Sequence, residues 1–378
     1  MVRIDSIKAR EILDSRGFPT VEVDIQLMDG FIGRASVPSG KSTGSNEALE
    51  LRDNDSSRFL GKGVLTTVHN IQDVIQPMLN HRDIRNQEDF DRLLLDLDGT
   101  PEKKRLGANA ILGCSLAFSR AVAASEGISL ARHLANLYGN KDMVLPIPMM
   151  NVINGGKHAD SGISTQEFML VPHGATNIKE AVRMGAETYH ALRSILESNG
   201  HRISVGDEGG FAPHLQSTEE ALEVLIMAIK KAGYHPDEHI SLALDFAANE
   251  FFHNGLYTFE GNTWTADEMT EYYITLATRF PIVSIEDGLA EDDWQGWVSH
   301  TKRLNEKSIQ CVGDDIFVTN ERIFREGLKR GIANAILIKL NQIGSVTETF
   351  QTMKLAKGGP ANKTRIYNAR IGLICMSI

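Results

Sequence analysis

Four apolar runs in the second half of the chain end on residues whose chemistry belongs together. S-L-A-L-D closes on Asp245, I-V-S-I-E on Glu286, Q-C-V-G-D-D on Asp314 and Asp315, and A-I-L-I-K on Lys339. Three carboxylates brought to one point repel unless a hard cation with oxygen ligands holds them. A lysine beside such a cation is a candidate base. The set therefore reads as metal-assisted proton abstraction.

Such residues need elements that deliver them to one place. Asp245, Glu286, Asp314 and Lys339 follow one another at intervals of 41, 28 and 25 residues, each room for a crossover helix and a return strand. Short apolar runs alternating with helical stretches read as βα units around a parallel sheet. In a (β/α) barrel the C-terminal ends of the strands converge on one mouth, where catalysis is built. Taken singly, a strand-end acid is as well explained as a helix cap, and a strand-end lysine as a chain reaching for solvent. Four in register favour a site. Asp287 and Asp315, beside the proposed ligands, read as supporting or surface groups.

Upstream, V-E-V-D-I-Q-L alternates as a half-buried strand, and Asp29-Gly30 turns it back into F-I-G-R-A-S-V. The clearest helical stretch follows at 108–137. Beyond the divide near 138–148, P-M-M-N-V-I-N and Q-E-F-M-L-V-P read as strands, then helices at 178–199 and 218–232, with further helices at 266–279 and 320–330. The expected organisation is an N-terminal α+β domain (1–138), a (β/α) barrel (139–357) and a divergent tail (358–378).

Composition sets limits. The 49 acidic residues outnumber the 39 basic ones, a net charge of −10 that argues against a nucleic-acid-binding face. No apolar run is expected to span a bilayer, and residues 1–16 carry charges throughout, unlike a secretory leader. Cys114, Cys311 and Cys375 lack metal spacing and read as reduced thiols. A-S-V-P-S-G-K-S (35–42) nearly fits a phosphate-cradling loop, but alanine replaces its first glycine and no strand-end aspartate stands at a suitable distance. That segment reads instead as a flexible lid.

At this point the residues match a family. A-R-E-I-L-D-S-R-G-F-P-T-V-E-V, V-P-S-G-K-S-T-G, N-V-I-N-G-G-K-H-A-D, Q-E-F-M, G-D-E-G-G-F-A-P, L-D-F-A-A-N-E-F, S-I-E-D-G, G-D-D-I-F-V-T-N and I-L-I-K-L-N-Q-I-G occur in order. The chain resembles enolase from residue 1 to about 357. The resemblance implies an α/β fold, a capping domain followed by a (β/α) barrel. It also implies magnesium-dependent, reversible dehydration of 2-phosphoglycerate to phosphoenolpyruvate, a step of glycolysis and gluconeogenesis. By the same resemblance Asp245, Glu286 and Asp314 would hold the first magnesium. Lys339 would be the base, and Glu208 the acid that protonates the departing hydroxyl, assisted by Glu167. His158 and Gln166 would lie against the substrate, and Ser39 would help bind a second magnesium. A homodimer or higher assembly is implied, in the cytoplasm, with secreted or cell-surface copies by family analogy.

The pattern changes beyond Ala356. The family's S-H-R-S-G-E and K-T-G segments are replaced by K-G-G-P-A-N-K-T-R-I-Y-N-A-R-I-G-L-I-C-M-S-I. The expectation is a barrel without its last two strand-helix units and without the side chains that grip phosphate and carboxylate. Turnover is then expected to fall by several orders of magnitude. The alternative reading is a catalytically impaired, enolase-like binding or scaffold protein.

Overall fold

The computed structural model describes residues 1–40, 44–158, 161–206, 209–358 and 370–371, with the last pair and His158 described for their backbone alone. Two compact units emerge. One comprises Met1–Val144 with Val318–Arg322 and Ile338–Gly358; the other comprises Leu145–Phe317 with Ile323–Leu337.

In the first unit, β1 (Val2–Leu13), β2 (Pro19–Leu27) and β3 (Ile32–Ser36) form antiparallel pairs, and β4 (Asp83–Ile84) joins the free edge of β1. The Asp29-Gly30 turn is present, with Gly30 at φ +90° and its N–H donating to the Leu27 carbonyl at 2.9 Å. Period-two alternation places Val21, Val23, Ile25 and Leu27 on the buried face. Against that face lies the helix Ala108–Ser125, whose small residues let it come very close. A methyl group added at Gly33 would run into the Ala117 carbonyl and the Ala121 amide, and would lie 2.9 Å from the Ala121 Cα. Phe90, from the helix Gln87–Asp98, stacks on Phe118 with ring centres 4.2 Å apart.

The helix expected over 108–137 is two helices. The first ends at Ser125, Gly127 takes φ +66°, and Ser129 caps Leu130–Tyr138 by accepting from the Arg132 N–H. Ala108–Ser125 has the length and apolarity to cross a membrane, but 78% of it is buried inside the protein, as in a core helix.

The second unit is built on a seven-stranded sheet. Its members are β5 (Met150–Asn154), β6 (Glu167–Val171), β7 (Ser241–Asp245), β11 (Ile282–Glu286), β12 (Gln310–Gly313), β13 (Ala335–Ile338) and β14 (Arg370–Ile371). They run in the order β14-β13-β12-β11-β7-β6-β5. A short meander, β8 (Phe252–His253), β9 (Leu256–Phe259) and β10 (Asn262–Trp264), follows β7 and was not anticipated from the sequence.

Strand direction departs from the all-parallel reading. From β7 to β13 the sheet is parallel, one α-helix lying between successive strands. β6, however, is antiparallel to both β5 and β7. The reason lies in the connections. Twelve residues separate β5 from β6, and the helical element described among them is the three-residue turn Gly156–His158, too short to serve as a crossover helix. Two helices, Ile178–Ser198 and Thr218–Lys231, separate β6 from β7, and the second reverses the chain once more. Good caps start these helices: Asn177, Ser217 and Thr265 each accept from the amide three residues on.

Candidate active site

Sheet register brings the acidic residues into one row. Asn154 pairs with Glu167 across β5 and β6, Glu167 with Asp245, and Asp245 with Glu286. Glu286 in turn stands opposite Val312, two residues before Asp314. Because β6 is reversed, its first residue rather than its last reaches the row. Val312, Ala335 and Leu337 share one apolar cluster, and Asp314 comes directly after the end of β12 at Gly313.

Asp245 is 5% exposed, Glu286 4% and Asp314 6%. Gln166 Nε2 donates to Asp245 Oδ2 at 2.9 Å, and the Ala247 N–H donates to Oδ1 at 2.9 Å. Burial pushes the Asp245 carboxyl well above the usual carboxylate range, and the charges of Glu286, Glu167, Asp287 and Asp314 push it the same way. A buried group so placed sits protonated or beside a cation.

Asp287 turns out to be an organiser of the site. It is 5% exposed and sits at φ +41°, a conformation that costs an ordinary residue about 1 kcal/mol or more. Four hydrogen bonds hold it there. Its N–H donates to the Val312 carbonyl at 3.1 Å, and its carbonyl accepts from the Ala248 N–H at 3.0 Å. Its Oδ1 accepts the Asp314 N–H and its Oδ2 the Asp315 N–H, both at 2.9 Å. Asp287 thereby fixes the turn that presents Asp314. Sequence reading left it among supporting or surface groups; the signal available was an acidic pair at a strand end.

Among the described residues, one trio has ligand atoms all within 4.8 Å of one another: Asp287, Asp314 and Asp315. Only Asp314 belongs to the expected set. Asp245, Glu286 and Asp314 come from three successive strands about 4.8 Å apart, so their backbones span roughly twice that distance. Asp315 also accepts from Asn249 Nδ2 at 2.9 Å, and Asn249 Oδ1 accepts the Glu291 N–H, tying the loops after β7, β11 and β12 together.

The donor set fits magnesium in kind. In the acidic row every candidate ligand atom is a carboxylate oxygen, the choice of a hard cation, and the mutual repulsion at Asp245 is the kind a divalent ion relieves. Gln166 Oε1, buried beside Asp245, has no hydrogen-bond partner, so an oxygen acceptor is left over there as well.

The remaining expected residues are placed as follows. Gln166 and Glu167 lie at the head of β6. Lys339 follows Ile338 directly, is still extended at φ −127° and ψ 118°, and donates its N–H to Thr319 Oγ1 at 2.8 Å. Thr319 donates to Gln342 Oε1 at 2.8 Å, and Gln342 Nε2 reaches Glu47 Oε1 at 3.2 Å, all within the first unit. Ser39, in the same unit, is held by two guanidinium groups: its Oγ accepts from Arg52 Nη2 at 2.9 Å and its carbonyl from Arg16 Nη2 at 3.1 Å. Its hydroxyl also donates to Glu50 Oε2 at 3.1 Å. Metal ligation by Ser39 would displace those cations. Glu208 and the His158 side chain lie outside the described residues, as do Lys41 and Ser42 of the expected lid.

Fold and site together define a two-domain α/β protein with a buried acidic row at one end of a barrel-type sheet. Comparison with known families makes this specific. A family described as the enolase N-terminal domain matches residues 4–134, and one described as the enolase C-terminal TIM barrel domain matches residues 142–371. The chain belongs to the enolase family.

Proposed function

We propose that the chain is a magnesium-dependent hydro-lyase that interconverts 2-phosphoglycerate and phosphoenolpyruvate. The observation that carries the reading is the register-matched row Glu167–Asp245–Glu286, continued by the Asp287-supported Asp314. The enolase superfamily is a known case of a lysine or histidine base working beside magnesium.

In this scheme Lys339 takes the proton from the carbon beside the substrate carboxylate. The carbon–carbon double bond forms as the bond to the hydroxyl oxygen breaks, and Glu208 gives that oxygen its proton so that it leaves as water. Glu167 assists the acid, and Gln166 and His158 orient the substrate. Asp245, Glu286 and Asp314 would hold magnesium, which when bound neutralises the charge that develops on the substrate carboxylate. Gln166 keeps Asp245 turned by its hydrogen bond to Oδ2. Family resemblance further supports a cytoplasmic homodimer or higher assembly.

Conversion of 2-phosphoglycerate is to be followed with and without magnesium, beside an identically purified Lys339→Ala chain to control for host enzyme. Turnover that requires magnesium and vanishes in the variant supports the assignment. Equal background in both chains overturns it in favour of a binding or scaffold role.

A further inference from the structure

Asn154 is the member of the row that the scheme above leaves unused. It ends β5, opposite Glu167, and its side chain is fully buried. Its backbone N–H is satisfied, donating to the Phe211 carbonyl at 2.8 Å. Its side chain is not: neither Oδ1 nor Nδ2 has a hydrogen-bond partner. Leaving one buried polar atom unpaired is costly, and leaving both atoms of one amide unpaired is more so.

The surroundings are shaped to keep that amide where it is. A Cβ at Gly206 would lie 3.0 to 3.1 Å from the Asn154 Cβ, Cγ and Oδ1. A Cβ at Gly210 would meet Oδ1 and lie 2.9 Å from the Val152 carbonyl carbon. Glycine at both positions leaves just the space the carboxamide occupies. A buried amide walled by backbone, in line with the acidic row, is a donor and an acceptor side by side awaiting a partner.

A carboxylate or phosphate only accepts, and an ammonium only donates. A hydroxyl does both. We propose that Asn154 contacts the substrate, its Oδ1 accepting from and its Nδ2 donating to the ligand's hydroxyl group. In the unliganded chain a water fills the same role and is displaced when substrate binds. The assignment rests on the dehydratase reading above, and deepens it by naming which substrate group is recognised.

The test uses the full chain in magnesium and two ligands that differ in this group: 2-phosphoglycerate carries the hydroxyl, phosphoenolpyruvate does not. Asn154→Leu keeps the approximate shape and removes both polar atoms. Affinity for 2-phosphoglycerate is expected to fall by about tenfold or more, and that for phosphoenolpyruvate by no more than about twofold. Asn154→Ser, whose hydroxyl can both donate and accept, is expected to recover part of the loss. Because the amide bonds to no protein group in the unliganded fold, the melting temperature of unliganded Asn154→Leu should be no lower than that of the parent. A fall of several degrees, or equal weakening of the two ligands, overturns the assignment. If the parent itself binds neither ligand, the dehydratase reading fails and takes this one with it. If the parent binds both and the variant does not discriminate, this assignment alone falls.

Discussion

Asp287→Ala removes a side chain that touches no proposed reaction partner, yet it should damage both stability and metal binding. Two backbone N–H groups, that of Asp314 buried and that of Asp315 part-buried, lose their acceptors. Each unpaired donor costs about 1–3 kcal/mol, so the loss from hydrogen bonding is about 2–6 kcal/mol. An opposing effect exists. Burial first, then the charges of Asp315, Asp314 and Glu286, pushes the Asp287 carboxyl well above the usual range, so deleting it also relieves repulsion. The low end of that range, about 2–3 kcal/mol, is therefore expected. Alanine inherits the φ of +41° and gains nothing from it. For a domain the size of the second unit each kcal/mol lowers the melting temperature by about 2–4 °C, so a drop of about 4–12 °C is expected by circular dichroism. Titration calorimetry should show magnesium binding weakened in parallel, since the turn presenting Asp314 has lost its support. An unchanged melting temperature together with unchanged magnesium affinity would refute the role given to Asp287.

Other sites offer independent checks. Gly33→Ala drives a methyl into the backbone of Ala117 and Ala121, which cannot rotate away, and should cost about 3 kcal/mol or more in urea denaturation. Asp91 is fully buried beneath Gln87 Nε2 at 2.9 Å and the Thr347 N–H at 2.9 Å, and burial raises its carboxyl to about 6. Its folded value lies above the ordinary one near 4, so protonation favours the fold: the contribution is complete below about pH 4 and is lost as pH rises through about 6. Stability of Asp91→Asn should thus fall less than that of the parent between about pH 4 and 7, by about 3 kcal/mol at the extreme; identical pH profiles would count against this. Burial pushes the Cys311 thiol up to about 12 and the Cys114 thiol higher still. Neither should react with a thiol reagent at about pH 8 until the chain is unfolded.

Much of the architecture was legible because it is written in local patterns. Alternation in V-E-V-D-I-Q-L and the apolar runs before Asp245, Glu286, Asp314 and Lys339 each depend on neighbours within a few residues. The helix 266–279 was read at its observed bounds, Ala266–Arg279. The break at Gly127 was missed because small apolar residues on both sides continue the helical pattern, and only the Ser129 cap marks the restart.

By itself the sequence determined which residues could do chemistry and which strand ends carry them, since residue type and period-two alternation are properties of the chain alone. Strand direction and register were decided only in three dimensions. They depend on which strands exchange hydrogen bonds, and a two-residue period is the same read in either direction. Reversal of β6 is what puts Glu167, at its start, beside Asp245 at the end of β7. Tertiary contacts likewise decided that Asp287 supports Asp314, that Arg16 and Arg52 hold Ser39, and that the Asn154 amide is buried without a partner. In each case the deciding group lies at least 13 residues away along the chain or, for Asn154, is a pair of glycines more than fifty residues on, beyond the reach of any local pattern.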